Sequence, residues 1–406
     1  MPLIVQKYGG TSVGDLGRIA NVARRVASYK DRGDDLVVVV SAMAGETDRL
    51  INLAKQISPT PNERELDVLV STGEQVTISL LAMTLESMGY KARSYCGWQI
   101  PLVTDSAFCS ARVTDVHRDN IEKDLKEGAI VIVAGFQGVD DRGNITTLGR
   151  GGSDTSAVAV AAGLKADLCE IFTDVDGVYT TDPNISPDAR KIKQIAYEEM
   201  LEMASLGAKV LYIRAVEFAM RHSVPLVVRS SFNDNEGTLV TEENTEMEKE
   251  SVRAVTCNTK EAKIKVAGVP DVPGVASQVF GAMAEANIVV DMIIQNSSAD
   301  GKTDITFTVP ESDLEKGLEV CQGLKDILAA EDIRGTKDIA KVSIIGLGMR
   351  SHSGVASKMF AALAREGINI QMISTSEIKI SCVVKRKYAE LAVRVLHDVF
   401  EMEKAL

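Results

Sequence analysis

The sequence predicts an α/β protein, in which a mostly parallel β-sheet between two layers of helices is followed by two copies of a smaller βαββαβ module. Two observations lead to this prediction. Strand-like and helix-like segments alternate from Leu3 to Arg229, which favours a parallel sheet with helices on both faces. The second half contains a repeat: residues 274–293 align with residues 354–373, and ten of the twenty positions are identical. Such similarity indicates duplication of one module.

Length and composition limit the possible functions. The 406 residues are enough for two or three domains, and 45% hydrophobic with 25% charged residues is typical of a globular protein. The net charge of -12 argues against a general nucleic-acid or membrane surface. The N-terminus lacks a signal-peptide pattern, and no apolar run reaches the roughly 18 residues that span a membrane. Six scattered cysteines favour reduced thiols, so we expect a cytoplasmic protein without a His/Cys metal site.

The first candidate ligand site is the turn between a strand predicted at residues 3–5 and a helix predicted at residues 15–29. This turn contains Lys7, Gly9 and Gly10. Adjacent glycines let the main chain approach a ligand, and the start of the following helix favours a phosphate. Lys7 adds a cation. The alternative is an ordinary connection with a surface lysine, and no Walker A pattern is present.

A second glycine-rich turn surrounds Arg150, before a small apolar helix predicted at residues 157–164. Ser153 and Asp154 can cap this helix, which is the purely structural interpretation. Three glycines around an arginine at a helix start also suit an anion, and Arg150 can hold a carboxylate with two hydrogen bonds. Both turns are expected to meet in one crevice, because ligands bind at the carboxyl ends of parallel strands.

Other candidate positions also lie at the ends of predicted strands or within helical patterns. They are Ser41 and Thr47 after the strand at 36–40, Phe136 after the strand at 129–134, the acidic loop 174–182 after the strand at 167–173, and Glu74 within a helical pattern at 67–88. Glu74 faces either a cationic group or solvent. The acids of the 174–182 loop either bind a metal or form ordinary turns. A polar turn at 140–144 indicates a hairpin.

The same patterns predict the domain limits. We expect a catalytic domain over residues 1–232, which ends with a helix at 197–218 and a strand at 225–229, and an acidic linker over 233–250. The first module spans 263–337. The second copy lacks its last strand, and residues 252–257 are the nearest unassigned strand. We therefore expect the second module to consist of residues 251–262 and 338–406, with the first module inserted between its parts.

Together these motifs resemble the aspartate kinase family of the amino-acid kinase superfamily over nearly the whole chain. The resemblance rests on KYGGTS at residues 7–12, RGGSD at 150–154 and FTDVDGVYT at 172–180. The tandem modules are similar to the paired ACT domains of that family. The resemblance implies the amino-acid-kinase αβα sandwich and transfer of the ATP γ-phosphoryl group to the side-chain carboxylate of L-aspartate, which begins lysine, threonine and methionine biosynthesis. It also implies Mg²⁺, which accompanies ATP.

The resemblance further implies roles for individual residues. The catalytic residues are Lys7, Arg150 and Asp154. The ATP-binding residues are Lys7, Tyr8, Gly9, Gly10, Thr173, Asp174, Tyr179, Lys209 and Val210. The aspartate-binding residues are Ser41, Thr47, Glu74, Phe136, Arg150, Gly151 and Ser153. In these roles Lys7 stabilises charge on the transferring group, Arg150 holds a carboxylate of aspartate, and Glu74 faces its ammonium group.

The modules are implied to bind lysine, threonine or both as feedback effectors, and to join copies of the chain into a homo-oligomer. The expected effector-binding residues are Asp271, Gly274, Val275, Ala276, Gln295, Ser353, Gly354, Val355, Asn369, Ile370, Ser376 and Glu377. Two residues depart from the family pattern: Asn184 stands where an arginine is common, and Val289 stands opposite Asn369 in the repeat alignment.

Two other functions stay open at the level of sequence. One is a related kinase that acts on another carboxylate, such as glutamate or acetylglutamate, and the other is a non-catalytic amino-acid sensor. The tandem modules, with Ser41, Thr47 and Glu74, favour aspartate, and the presence of Lys7, Arg150 and Asp154 together favours an enzyme. Aspartate-dependent release of ADP distinguishes these functions. Because the chain ends after the second module, we expect no fused dehydrogenase.

Overall fold

The computed structural model describes residues 1–100, 102–207, 210–245, 247, 250–297 and 301–404. The chain divides into two compact units. The first comprises Met1–Val178 and Lys191–Met247, and the second comprises Tyr179–Arg190 and Glu248–Leu406.

The first unit contains a large, mostly parallel sheet and a small sheet. Its strands are β1 (Leu3–Tyr8), β2 (Asp35–Val40), β3 (Ala92–Tyr95), β4 (Leu102–Thr104), β5 (Val113–Val116), β6 (Ile130–Ala134), β7 (Gln137–Val139), β8 (Ile145–Thr147), β9 (Leu168–Thr173), β10 (Gln194–Ala196), β11 (Leu226–Ser230) and β12 (Thr238–Thr241). The large sheet has the order β10-β12-β11-β9-β1-β2-β6-β3. All neighbours in it are parallel except β11 and β12.

Helices cover both faces of this large sheet. They are α1 (Leu16–Asp31), α2 (Glu46–Ile57), α3 (Glu63–Val70), α4 (Thr72–Ser87), α5 (Asp119–Lys126), α6 (Gly152–Leu164), α7 (Tyr197–Ser205) and α8 (Ile213–Arg221). α1 and α4 share one core with alternate residues of β1, β2 and β6. α6 packs on β1, β2 and β9. The residues of these strands that lie between those of the shared core must point towards α6, because successive strand residues face opposite sides of a sheet. The predicted αβα sandwich is confirmed.

Two sequence expectations for the first unit are wrong, and one small sheet was not expected. The small sheet, of order β5-β4-β7-β8, is not predicted apart from its β7–β8 hairpin. The helix expected at 197–218 is two helices, because the chain breaks after Ser205 and Gly207 adopts a φ of 108°. The stretch 233–250 is not simply a linker, since β12 lies within it and pairs with β11 and β10.

One stretch, Glu63–Ser87, is long and apolar enough to cross a membrane, with a hydropathy of 1.4. Half of its most apolar 18-residue window is buried within the fold. It is interrupted at Ser71, and its Ile78, Leu81 and Leu85 belong to the core against the large sheet. Packing in that core accounts for its apolar composition.

The second unit contains two four-stranded sheets of the same design. Its strands are β13 (Ala254–Asn258), β14 (Glu261–Pro270), β15 (Ile293–Ser297), β16 (Lys302–Pro310), β17 (Asp332–Thr336), β18 (Ala340–Ile345), β19 (Met372–Thr375) and β20 (Lys379–Val384), and its helices are α9 (Val275–Glu285), α10 (Leu314–Gly323), α11 (Val355–Arg365) and α12 (Ala389–Val399). The sheet orders are β15-β16-β14-β17 and β13-β18-β20-β19. The strand expected at 252–257 thus joins the second sheet, where β13 takes the edge position that β17 takes in the first.

Candidate active site

A cleft of about 330 Å³ opens where β1, β2 and β6 end and α6 begins. It brings together residues that are far apart in the sequence. The predicted site residues that line it are Lys7, Gly9, Gly10, Ser41, Thr47, Glu74, Phe136, Arg150, Gly151, Ser153 and Asp154. The two glycine-rich turns therefore meet in one crevice, as the parallel topology requires.

Lys7 lies in β1, and its ammonium group forms an ion pair with Asp154 at the start of α6. Nζ of Lys7 is 2.5 Å from Oδ1 of Asp154, and the two side chains are only 11% and 6% exposed. A shielded ion pair of this kind fixes the lysine, because loss of the partner would leave a buried charge uncompensated. Asp154 thus positions the cation in the cleft.

The glycines after β1 bring the main chain against the loop that follows β2. A Cβ atom at position 10 would lie 2.9 Å from the carbonyl oxygen of Ala42, so no larger residue fits. A short 3-10 helix, Gly10–Val13, comes next, and α1 begins only at Leu16. Asp15 caps α1 by accepting a hydrogen bond from the N–H of Arg18 at 2.8 Å. The N–H of Arg18 is therefore already bonded within the chain, and a role for the start of α1 in phosphate binding stays a prediction.

The start of α6 is open towards the cleft. Gly151 is its N-terminal cap, with a φ of 72°, and no side chain caps the helix. Ser153 and Asp154 lie within the first turn, so the alternative in which they cap the helix is wrong. Arg150 is exposed at the edge of the cleft. An uncapped helix start beside an arginine suits an anion.

Phe136 holds a strained conformation at the end of β6. Its φ is 68°, a value that non-glycine residues seldom adopt. Hydrogen bonds fix it: its N–H donates to the hydroxyl of Ser156 at 3.0 Å, and its carbonyl accepts from the N–H of Leu148 at 2.9 Å. Strain of this kind is found at ligand sites, where the surrounding structure enforces it.

Glu74 is a buried carboxyl in the first turn of α4. Its Oε1 accepts a hydrogen bond from the N–H of Ala42 at 3.0 Å, and its Oε2 has no hydrogen-bond partner among the described residues. Burial raises the pKa of Glu74 to about 8, although the Ala42 N–H opposes this shift. The solvated alternative for this residue is excluded by its 2% exposure. A buried carboxyl with an unpaired oxygen suits the ammonium group of a ligand.

The residues predicted to bind the nucleotide lie less close together than the residues that line the cleft. Thr173 and Asp174 lie at the end of β9, where the Thr173 hydroxyl donates to Oδ1 of Asp174 at 3.1 Å. Neither is among the residues that line the cleft. Tyr8 is buried, and its ring stacks on Phe172 with a centroid distance of 4.7 Å. Its side chain therefore belongs to the core.

The other predicted nucleotide contacts lie later in the chain. Tyr179 is the first residue of the second unit. Val210 lies in the connection between α7 and α8. Lys209 lies outside the described residues. A role for these residues in nucleotide binding stays a prediction.

Known proteins match this chain over almost its full length. The amino acid kinase family matches residues 2–230, and the ACT domain matches residues 264–323 and 342–400. An aspartate kinase of Stutzerimonas stutzeri is 59% identical over 404 residues, covering 99% of this chain and 98% of the relative. An aspartokinase of Pseudomonas aeruginosa is 58% identical over 405 residues, with the same coverage. The chain belongs to the aspartate kinase family. It is therefore a kinase, and the resemblance drawn from the motifs is confirmed.

Solved structures of the family share the fold. Escherichia coli aspartokinase III in complex with aspartate and ADP, in its R-state, has a TM-score of 0.80 at 28% identity, covering 98% of this chain and 99% of that chain. The same protein in complex with lysine and aspartate, in its T-state, has a TM-score of 0.78 at the same identity and coverage.

The loops predicted to bind effectors have the same geometry in both ACT domains. Gly274 and Gly354 are the N-terminal caps of α9 and α11, with φ values of 102° and 87°. No side chain caps either helix. Asp271 and Ser353 are exposed, Val275 and Val355 are buried, and Ala276 is half-buried. The repeat therefore presents two matching helix starts.

The remaining predicted effector residues follow these helices. Asn369 and Ile370 precede β19, and Ser376 and Glu377 form the exposed turn between β19 and β20. Oε2 of Glu377 lies 3.6 Å from Nε of Arg350. Gln295 is exposed on β15, which is an edge strand. Their role in binding stays a prediction.

The cleft also contains residues that the sequence analysis does not assign. They are Ala42, Met43, Ala44, Gly45, Asp48, Gly149, Gly152 and Tyr212. Most belong to the loops already singled out. Tyr212 has no such signal, because it lies in the unpredicted break between α7 and α8. A Cβ atom at position 151 would lie 2.1 Å from Cγ of Tyr212, so Gly151 is required beneath the ring.

Proposed function

We propose that this chain transfers the γ-phosphoryl group of ATP to the side-chain carboxylate of L-aspartate, giving 4-phospho-L-aspartate and ADP in the cleft beside α6. One observation supports this most strongly. The same cleft joins the buried Lys7–Asp154 ion pair to Glu74 and Arg150. The first pair suits a phosphoryl group, and the other two side chains suit the ammonium and carboxylate groups of an amino acid. Phosphoryl transfer depends mainly on such positioning and charge neutralisation.

On the phosphoryl side, Lys7 neutralises charge on the transferring group, and Asp154 holds Lys7 in place. The close approach of Gly10 to Ala42 leaves main chain rather than side chain beside the phosphates. The nucleotide contacts proposed are Tyr8, Gly9, Gly10, Thr173, Asp174, Tyr179, Lys209 and Val210. No general base is needed, because the attacking carboxylate is already ionised near neutral pH.

On the amino-acid side, Arg150 binds a carboxylate of aspartate with two hydrogen bonds, aided by the N–H groups at the start of α6. Glu74 binds the ammonium group through its unpaired oxygen. The remaining aspartate contacts proposed are Ser41, Thr47, Phe136, Gly151 and Ser153. Two charged anchors at separate points fix the orientation of the substrate, so its side-chain carboxylate points towards the phosphoryl group.

Magnesium accompanies ATP in this proposal. Among the described residues, one group of three close side chains offers metal ligands, and its members His397, Asp398 and Glu403 belong to the second unit. In the cleft, Asp154 is paired with Lys7, and Glu74 is bonded to Ala42. The phosphate oxygens therefore fit as ligands better than these carboxylates. When bound, the ion supplies positive charge that offsets the charge of the phosphates.

We further propose that the ACT domains bind lysine, threonine or both, at contacts between two copies of the chain in the cytoplasm. The lysine found with Escherichia coli aspartokinase III supports lysine as one effector. The uncapped starts of α9 and α11 suit an effector carboxylate.

Release of ADP from ATP tests the proposed reaction. The full-length chain is assayed with no acceptor, with L-aspartate, with L-glutamate and with N-acetylglutamate, and removal of magnesium by a chelator is a further arm. We expect release only with aspartate and only with the divalent ion. Release with glutamate or acetylglutamate alone would identify a related kinase, and no release with any acceptor would identify a sensor.

A further inference from the structure

His397 is a buried side chain whose two ring nitrogens have different surroundings. It lies near the end of α12 in the second ACT domain and is fully buried. Its Nε2 lies 2.9 Å from the Thr180 hydroxyl, whereas its Nδ1 has no hydrogen-bond partner among the described residues. A polar atom of this kind is rare in folded proteins, because burial removes its bonds to water. Nδ1 is therefore the atom to explain.

The bond to Thr180 determines what Nδ1 can do. The Thr180 hydroxyl already accepts a hydrogen bond from the N–H of Arg190 at 3.0 Å. If Nε2 carries the ring proton, it donates to this hydroxyl, and Nδ1 keeps a lone pair. If the hydroxyl donates instead, Nδ1 carries the proton and is a buried donor without an acceptor, which is costly. A cation beside Nδ1 suits the first arrangement, because a histidine that binds a metal usually donates its other N–H to a nearby oxygen.

Two carboxylates lie beside the His397 ring. Asp398 follows it in α12, and Glu403 belongs to the short 3-10 helix Met402–Lys404. One ring nitrogen and one oxygen of each carboxylate all lie within 4.8 Å of one another. Met402 is buried in the core of the same domain, so the 3-10 helix is held against it. The Asp398 side chain is exposed and the Glu403 side chain is half-buried, so both can rotate onto one ion.

The charges around the ring also favour a cation. Burial lowers the pKa of His397, and the carboxylates of Asp398, Glu403 and Asp188 oppose that shift. Asp188 comes from the segment Tyr179–Arg190, which belongs to the same compact unit. Three carboxylates on three segments of the chain therefore act on one ring, and their combined negative potential attracts a positive ion.

We propose that His397, Asp398 and Glu403 form a binding site for one divalent transition-metal ion such as Zn²⁺. Nδ1 and the two carboxylates supply three ligands, and water supplies the fourth. A nitrogen with carboxylate oxygens suits Zn²⁺, whereas Mg²⁺ prefers oxygen ligands alone. The ion is therefore distinct from the magnesium that accompanies ATP.

This site goes beyond the proposed function, because its three residues all belong to the second unit. The sequence expectation of no His/Cys metal site does not cover it, since two of its three ligands are carboxylates. The ligands come from the end of α12 and from the 3-10 helix after it. A bound ion therefore stabilises this end of the second ACT domain.

Titration of the full-length chain with Zn²⁺ tests the proposal. The chain is first treated with a chelator, and calorimetry is then run in excess Mg²⁺. We expect the wild type to bind one Zn²⁺ per chain. Asp398→Asn and Glu403→Gln keep the shape of each side chain and remove a charged ligand, so each should weaken the affinity at least about tenfold. Saturating Zn²⁺ should raise Tm of the wild type more than Tm of either variant, because an ion that binds only the folded chain stabilises it.

A matched control uses another histidine with a neighbouring carboxylate. Nε2 of His117 lies 3.7 Å from Oδ2 of Asp115, and both side chains are exposed. Asp115→Asn should therefore leave the Zn²⁺ affinity unchanged. Because the six cysteines are free, X-ray absorption of the zinc-bound chain is a second measurement. It should show nitrogen and oxygen neighbours at about 2.0–2.2 Å and no sulfur at about 2.3 Å.

Three results would overturn the proposal. The first is equal Zn²⁺ affinity in the wild type, Asp398→Asn and Glu403→Gln, which would place the ion elsewhere. The second is sulfur among the neighbours of the ion, which would assign the binding to cysteines. The third is no binding of Zn²⁺ in the presence of Mg²⁺. Because none of these measurements uses turnover, they are independent of whether the chain phosphorylates aspartate.

Discussion

Lys7 is the residue on which the proposed chemistry depends most. Its ammonium group is held by Asp154 at 2.5 Å in a nearly buried site. Lys7→Ala should therefore lower turnover far more than it raises KM for aspartate, because the lysine acts mainly on charge in the transferring group. Loss of one such contact typically lowers the rate by about 100-fold or more. Steady-state kinetics measure both quantities.

Lys30→Ala is the matched control for that variant. Lys30 also forms an ion pair, with its Nζ 3.1 Å from Oδ1 of Asp35, but it lies outside the cleft lining. Turnover of this control should match the wild type. Near-wild-type turnover in a folded Lys7→Ala variant would contradict the role given to Lys7.

Arg150 is expected to be sensitive to the shape of its side chain as well as to its charge. An ammonium group cannot reproduce the two parallel hydrogen bonds of a guanidinium group. Arg150→Lys should therefore raise KM for aspartate and change nucleotide affinity much less. Arg142→Lys, at the exposed turn between β7 and β8, is the control. Weaker ATP binding with unchanged aspartate binding would place Arg150 at the phosphates.

Glu74 should make aspartate binding depend on pH. Because burial raises its pKa to about 8, the carboxyl is mostly protonated near pH 7, and only the ionised form attracts an ammonium group. The affinity for aspartate should rise about fivefold between pH 7 and pH 8, following the ionised fraction. In Glu74→Gln this rise should disappear. A wild-type affinity that does not change across this range would exclude Glu74 as the ammonium site.

The same carboxyl gives an independent stability readout. A folded pKa of about 8, above the usual 4.5, means that the folded chain holds this proton more tightly than the unfolded chain. Its contribution to the free energy of unfolding is therefore complete below pH 4.5 and is lost as the pH rises to about 8, at up to ~1.4 kcal/mol per pH unit. Tm of Glu74→Gln should accordingly fall less than wild-type Tm over this range.

At the scale of elements, the sequence predicts the strands whose residues are uniformly buried. β2 and β6 are buried along almost their whole length, and such strands are recognisable as continuous Val and Ile runs. The small sheet is different. β4 has three residues and β5 has four, partly exposed, so neither carries a clear pattern. Their existence depends on partners that sequence periodicity does not specify.

β12 and the break between α7 and α8 escape prediction for related reasons. β12 lies in an acidic stretch and is fixed by long-range bonds, such as that from the Thr238 hydroxyl to the carbonyl of Ile192 at 2.6 Å. Tyr212 reaches the cleft only because α8 starts after the break. By contrast, Lys7 and Arg150 are identifiable because glycines lie close to them in the sequence. A local signal therefore shows where the main chain approaches a ligand, but not which distant side chain closes the site.

At the scale of the whole molecule, the repeat is visible in the sequence, whereas contacts between distant residues are not. Comparison of the two copies identifies the missing strand of the second, and β13 fills it by pairing with β18. The link between Thr180 and His397 joins residues that are 217 positions apart. Neither residue stands out in the sequence, because a threonine in a turn-rich loop and a histidine in an amphipathic helix are ordinary. Only the folded chain shows that the loop is part of an ACT domain.

Feedback inhibition is the property that we expect of the whole molecule. Asn369 and Glu377 follow α11, whose uncapped start suits an effector carboxylate. Asn369→Ala and Glu377→Ala should relieve inhibition by lysine, threonine or both, while uninhibited turnover stays nearly unchanged. An effector shifts a population only through its differential affinity for two states, so weaker effector contacts mean weaker inhibition. Inhibition curves for both variants measure this.

The repeat provides the matched control for this last prediction. Val289 occupies the position of Asn369 in the first copy and is 70% exposed, so Val289→Ala should leave the inhibition curve unchanged. The Tm of Glu377→Ala separates two interpretations of Glu377, effector binding and stabilisation of the turn between β19 and β20. Its contact with Arg350 is an exposed ion pair at 3.6 Å. Such pairs contribute about 0–1 kcal/mol, so Tm of Glu377→Ala should stay close to the wild type. Unchanged inhibitor sensitivity combined with a clearly lowered Tm would mean that these residues only stabilise the turn between β19 and β20.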